Sequence, residues 1–227
     1  MDDLERVTVV NAFTEFTAAF TEPAFGLGEN WSQLHSAMVR ALAAWGLGSR
    51  GISFRTDPNN LSEVRANYQL PDSRFVFGVG VDSAVVSISN AAWEDLPRFL
   101  SAVELGLEAV RATTNVSIAS QKVTLAMHVK PQTRSSLQIL QGLVQAGRLL
   151  LPGERSEDYG LTVHTDRGSY SLEPSLRFFG VLYIGFDRRY AGQKLLAEIA
   201  EDVRRTEEHV LNALGLALVI DSVPTSK

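Results

Sequence analysis

The chain has no cysteine, which removes disulfides, thiolate zinc sites, iron–sulfur clusters and cysteine nucleophiles together. No apolar run approaches the roughly 18 to 20 residues that a membrane helix needs, and the stretch 213–220 is far too short. Positive charge is in deficit: 21 Lys and Arg stand against 26 Asp and Glu, a net charge of −5. That balance argues against a broad electrostatic grip on nucleic acid or anionic lipid. Aromatic content is modest at 8%. The phosphate-loop patterns Gly-x-x-x-x-Gly-Lys-Ser/Thr and Gly-x-Gly-x-x-Gly are missing, as is the nucleophile elbow Gly-x-Ser-x-Gly. No bound cofactor or metal is therefore expected, and no catalytic residue stands out.

What remains is 227 residues, 45% of them hydrophobic, the composition of an ordinary globular protein with one to two domains' worth of chain. The acidic start, Met1-Asp2-Asp3-Leu4-Glu5-Arg6, is unlike a secretory signal, so a cytoplasmic location is expected and the Asn-x-Ser triplets at Asn30, Asn60 and Asn115 read as caps or turns.

Helix periodicity is clear in three places. Asn30 is a candidate cap for a helix carrying Trp31, Leu34, Met38, Leu42 and Trp45, with Gly46 as its stop. Trp93, Leu96, Leu100, Val103, Leu107 and Val110 form a narrow stripe, with Pro97 placing the regular start near Asp95. A third helix is predicted over 193–214, with Leu196, Ile199, Val203, Val210 and Leu214 on one face, and a shorter one over 135–145. Phe13, Phe16 and Phe20 fit helix or strand spacing, and the interleaved Thr14, Thr17 and Thr21 favour strand.

Strand alternation lies between these helices. Phe75, Phe77, Val79 and Val81 precede Asp82-Ser83 and then Ala84, Val86 and Ile88, which predicts a tight hairpin pairing Val81 with Ala84, Val79 with Val86 and Phe77 with Ile88. Val123, Leu125, Met127 and Val129 alternate with Thr124, Ala126 and His128. The run 178–186 is apolar on both faces, which predicts a central or covered strand.

Gly51-Ile-Ser-Phe-Arg-Thr-Asp57 resembles Gly160-Leu-Thr-Val-His-Thr-Asp166, and Val79-Gly-Val-Asp82 resembles Ile184-Gly-Phe-Asp187. Each half reads strand, helix, several strands, long helix. The expected fold is α+β: a single domain of two pseudo-repeats, about 1–113 and 114–227, sharing a curved antiparallel sheet with long helices on one face. That arrangement is TATA-binding-protein-like or helix-grip-like, a comparison of element order that brings no function with it.

Three segments, Asn90-Ala-Ala-Trp93, the strand from Val123 to Pro131, and Ile184-Gly-Phe-Asp187 followed by His209-Val-Leu-Asn212, are similar to those of a sporadically distributed bacterial family of uncharacterised function. The resemblance implies a bacterial origin and brings no activity with it.

The four histidines, His35, His128, His164 and His209, share no local ligand spacing. Strand parity puts His128 and His164 on the polar sheet face with Arg55 and Thr162, either as a small polar pocket or as a solvated or partner-covered surface. The neighbouring acids Glu94-Asp95, Glu157-Asp158 and Glu207-Glu208 read as solvated positions. The expected class is therefore a non-enzymatic binding or assembly module, a protein binder or homo-oligomer acting through its sheet. The alternatives are a small-ligand protein with a helix-grip cavity along the Trp93–Val110 stripe, and a SecB-like chaperone or adaptor.

Overall fold

The computed structural model describes residues 4–55, 64–71, 74–91, 95–141, 143 and 160–219. Trp93, Asn60, the Glu157-Asp158 pair and the C-terminal end of the expected 135–145 helix lie outside them. In chain order the elements are β1 (Glu5–Phe20), α1 (Leu27–Ala41), β2 (Ile52–Arg55), β3 (Arg65–Gln69), β4 (Phe75–Gly80), β5 (Ser83–Ser89) and α2 (Leu96–Thr114). There follow β6 (Ile118–Pro131), α3 (Ser136–Gln141), β7 (Leu161–Thr165), β8 (Gly168–Pro174), β9 (Leu182–Ala191), α4 (Leu196–Ala213) and β10 (Leu216–Leu218). The class is α+β, as the alternation implies. The strands hydrogen-bond in the order β2-β3-β4-β5-β1-β6-β9-β8-β7 as one antiparallel sheet, with β10 added in parallel to β1.

Two compact units divide the chain, each from separate segments: one from 1–12, 125–187 and 200–227, the other from 13–124 and 188–199. Strands β1, β6 and β9 contribute to both. Of the segments similar to one another in sequence, the first pair falls on β2 and β7, the two ends of the strand order, and the second on β4 and β9.

In the unit built on 13–124, one face of β1, β3, β4 and β5 is apolar. Phe16 pairs with Val86, Ala18 with Ala84, Phe77 with Val86 and Tyr68 with Phe77. The β4–β5 register is two residues from the tight hairpin expected: Phe75 faces Ile88 and Val79 faces Ala84. The carbonyls of Val81 and Asp82 accept hydrogen bonds from Ala24 N–H at 2.8 Å and Phe20 N–H at 2.9 Å, so these residues form a wider turn. A slip of two keeps parity, and the same side chains are buried.

Helix α1 begins at Leu27, ahead of the expected cap. Asn30 lies inside it at a kink (φ −112°, ψ 15°), and its Nδ2 donates to the Gly26 carbonyl at 3.0 Å. Gly46 does end the segment, in the left-handed conformation that glycine adopts at little cost, after a short 3-10 turn over Ala43–Trp45. In α2, Pro97 lies in the first turn and Asn115 terminates the helix at φ 54°. Val103, Leu107 and Val110 of the expected stripe are buried together with Phe99 and Gly106, where the helix lies directly on the sheet, while Leu96 and Leu100 are half-buried.

In the other unit, Met127 and Val129 of β6, Leu172 of β8 and Leu182 and Ile184 of β9 meet Ile139 and Leu140 of α3 and Val210, Leu211 and Leu214 of α4. The apolar run 178–186 is split: Phe178 and Phe179 belong to a turn, and the strand starts at Leu182.

Candidate functional site

Strands bury one face and present the other. In the 125–187 unit the buried face takes Met127, Val129, Leu172 and Ile184, which leaves His128 of β6, Glu173 of β8 and Tyr183 of β9 opposite the helices. His128 lies 5.2 Å from the Tyr183 ring and receives Phe178 nearly edge-on at 5.1 Å. Tyr183 lies along its own strand over Gly185, where a Cβ would fall 2.7 Å from the Tyr183 hydroxyl oxygen. Glycine at 185 is therefore what lets that ring lie flat.

The turn carrying Phe178 is held by Ser175. Its Oγ accepts from Arg177 N–H at 3.2 Å and Phe178 N–H at 3.0 Å, while its own N–H donates to the Val181 carbonyl at 2.7 Å. The Arg177 guanidinium lies 5.2 Å from the Phe178 ring centre. Burial and the Arg177 charge push the His128 pKa down, favouring the neutral imidazole. Burial and Glu173 push the Tyr183 phenol up. His128 Nδ1 is buried without a hydrogen-bond partner among the described residues.

Thr162 and His164 are exposed on β7, in register with Ser171 and Ser169 of β8. Ser169 Oγ donates to Asp187 Oδ1 of β9, so a carboxylate, a hydroxyl and an imidazole follow one another across three strands. Thus His128, Thr162 and His164 share this unit. Arg55 belongs to the other unit, on β2 directly opposite Arg65 of β3. Among the described residues no group of three or more His, Asp or Glu is arranged to hold a metal.

In that other unit His35 Nδ1 lies 2.8 Å from the Tyr68 hydroxyl, Trp31 stacks at 6.1 Å on His35, and Trp31 meets Phe54 edge-on at 4.7 Å. Tyr68 is fully buried, which pushes its pKa well up. An open groove of about 450 Å³ between α1 and α2 is lined by Ser32, Gln33, Ser36, Arg40 and Thr113. Ala37 and Ala112 complete its lining, which meets α2 beyond Val110 and not along the apolar stripe.

Two buried carboxylates escaped sequence reasoning. Glu207 is not a solvated neighbour of Glu208: it is buried, its Oε2 has no hydrogen-bond partner among the described residues, and burial, with Glu208, raises its pKa to about 7. The signal was present, since 207 falls between Val203 and Val210 on the apolar face of α4. Glu5 is buried at the start of β1, where it accepts from Thr133 Oγ1 and from Thr133 N–H at 2.7 Å. Arg134 adds N–H at 3.3 Å and Nε at 3.4 Å. Burial alone would raise its pKa, but these hydrogen bonds outweigh it and hold the carboxyl at about 2.

No protein-family profile matches the chain, and no curated protein matches it significantly. Among solved structures, a duplicated taurocyamine kinase from Schistosoma mansoni with bound transition-state analogue components is similar at TM-score 0.42 and 13% identity, over 91% of this chain and 32% of that one. The chain thus spans about a third of that protein's length. A rolling circle replication initiator from Geobacillus stearothermophilus is similar at TM-score 0.35 and 8% identity, over 81% of this chain and 74% of that one. Similarity this low carries no inference about activity. Among the described residues no helix is long and apolar enough to cross a membrane.

Proposed function

We propose that this chain is a non-enzymatic binding or assembly module of the cytoplasm that engages protein partners through the sheet face around His128 and Tyr183. The carrying observation is the Phe178–His128–Tyr183 cluster on the face opposite α3 and α4. Aromatic groups with an apolar body and a polar tip suit contacts that are part dry and part wet, and Tyr loses little conformational entropy when it is covered. Hydroxyls of Thr162 and Ser171, paired across β7 and β8, offer adaptable hydrogen bonding to a peptide. The net charge of −5 supports a protein partner over nucleic acid or anionic lipid.

Random-peptide display tests this reading. Peptides enriched on the wild-type chain are expected to bind Tyr183→Arg at least about tenfold more weakly, with an unchanged circular-dichroism spectrum. Equal binding to both chains, or no enrichment over the unselected library, overturns it. The groove beside Arg40 favours a second reading, a small polar ligand between α1 and α2. A thermal-shift screen of carboxylate- and phosphate-bearing compounds, with Arg40→Ala as control, checks it.

A further inference from the structure

Leu176 and Phe179, 95% and 105% exposed, are the two most exposed large hydrophobic residues described, and both sit in the turn 175–181. This turn is not loose: Ser175 clamps it from inside, Val181 N–H closes it on the Phe178 carbonyl at 3.4 Å, and Phe178 anchors it against His128. A turn ordered beforehand loses little entropy when its apolar side chains are covered. Arg177 stands between the two exposed residues, and its charge reaches His128; Glu173, at the foot of the same turn, acts on Tyr183. Arg177 and Glu173 thus give the turn and its foot one charge of each sign beside the exposed Leu176 and Phe179.

We propose that the turn 175–181 is one half of a two-fold contact between two copies of this chain. In an isologous contact the same patch meets itself, so Leu176 and Phe179 pack against their own counterparts. Arg177 of each copy then meets Glu173 of the other, a charge arrangement that a single patch supplies on both sides. The contact is small, which places it among weak, concentration-dependent associations. The inference rests on the assembly-module reading and gives that reading a partner.

Sedimentation velocity over a concentration series reaching about 0.5 mM tests it. A monomer–dimer equilibrium is expected, weakened at least about tenfold by Phe179→Ser or Leu176→Ser, which remove contacts only from solvent-exposed positions. Arg177→Glu and Glu173→Arg are each expected to weaken it, and the double variant Glu173→Arg/Arg177→Glu to restore it. A strict monomer throughout overturns the contact, as does a dimer indifferent to Phe179→Ser, or a double variant no better than the single reversals. A monomer that still selects peptides through Tyr183 overturns this contact alone and leaves the binding-module reading standing.

Discussion

The Phe77 ring occupies the space that a side chain at Gly106 would take: a Cβ there would lie 1.9 Å from Phe77 Cε2. This brings α2 directly onto β4. Gly106→Ala is therefore expected to destabilise by about 1–3 kcal/mol through overpacking, despite the roughly 1 kcal/mol by which alanine favours a helix over glycine. Phe77→Ala is expected to cost about 3–5 kcal/mol through the cavity it leaves. In the double variant the two costs are expected to fall well short of their sum, because the added methyl enters the vacated space. Urea midpoints of the four chains check this, and strict additivity contradicts it.

Glycines 80 and 168 are expected to respond in opposite ways. Among the described residues a Cβ at Gly80 would meet only Val64 O at 3.4 Å and Ser83 O at 3.7 Å, ordinary contact distances. Gly80→Ala is thus expected to be neutral or to stabilise by about 0.5 kcal/mol, since glycine in a strand loses extra entropy on folding. Gly168 has φ +150°, and a Cβ there would fall 1.9 Å from the Asp187 carbonyl oxygen. Gly168→Ala is expected to cost about 2 kcal/mol or more. Thermal unfolding of the two variants side by side separates these outcomes.

The sequence revealed parity well and register poorly. Phe75, Phe77, Val79, Ala84, Val86 and Ile88 are all buried, as alternation implied, because a side chain's face depends only on its own strand. Their pairing is two residues off because the Val81 and Asp82 carbonyls serve Ala24 and Phe20, contacts far away in sequence. The candidate site was legible in part for the same reason. His128 lies on the face opposite Met127 and Val129, while Phe178, expected in a strand, turns over onto that histidine. What folds Phe178 back is Ser175 accepting two backbone N–H groups, a local alternative to the sheet ladder that hydropathy does not register.

Glu5 ties the first residue of β1 to the segment after β6. Its carboxyl titrates near 2 instead of 4.5, so the folded state binds fewer protons than the unfolded one in that window. The resulting stability is present above about pH 4.5 and is lost as pH falls through about 2. Glu5→Gln keeps the shape but weakens the hydrogen bonds from Thr133 and Arg134, at an expected cost of about 1–3 kcal/mol at neutral pH. Urea denaturation at pH 7 and pH 3 checks the sign: the gap between wild type and variant narrows on acidification.

Glu207 acts with the opposite sign. Its folded pKa of about 7 exceeds the ordinary 4.5, so the folded state holds a proton that the unfolded state releases. Stability from this group is complete below about pH 4.5 and is lost as pH rises through about 7. At about 1.4 kcal/mol per pKa unit, the full loss is about 3 kcal/mol. Glu207→Gln carries no titratable proton and is expected to remove that slope, gaining about 1–3 kcal/mol over wild type at pH 8 while matching it near pH 4. Stability of both chains from pH 4 to 8 decides the matter, and parallel curves would show that the buried carboxyl on the apolar face of α4 ionises without cost.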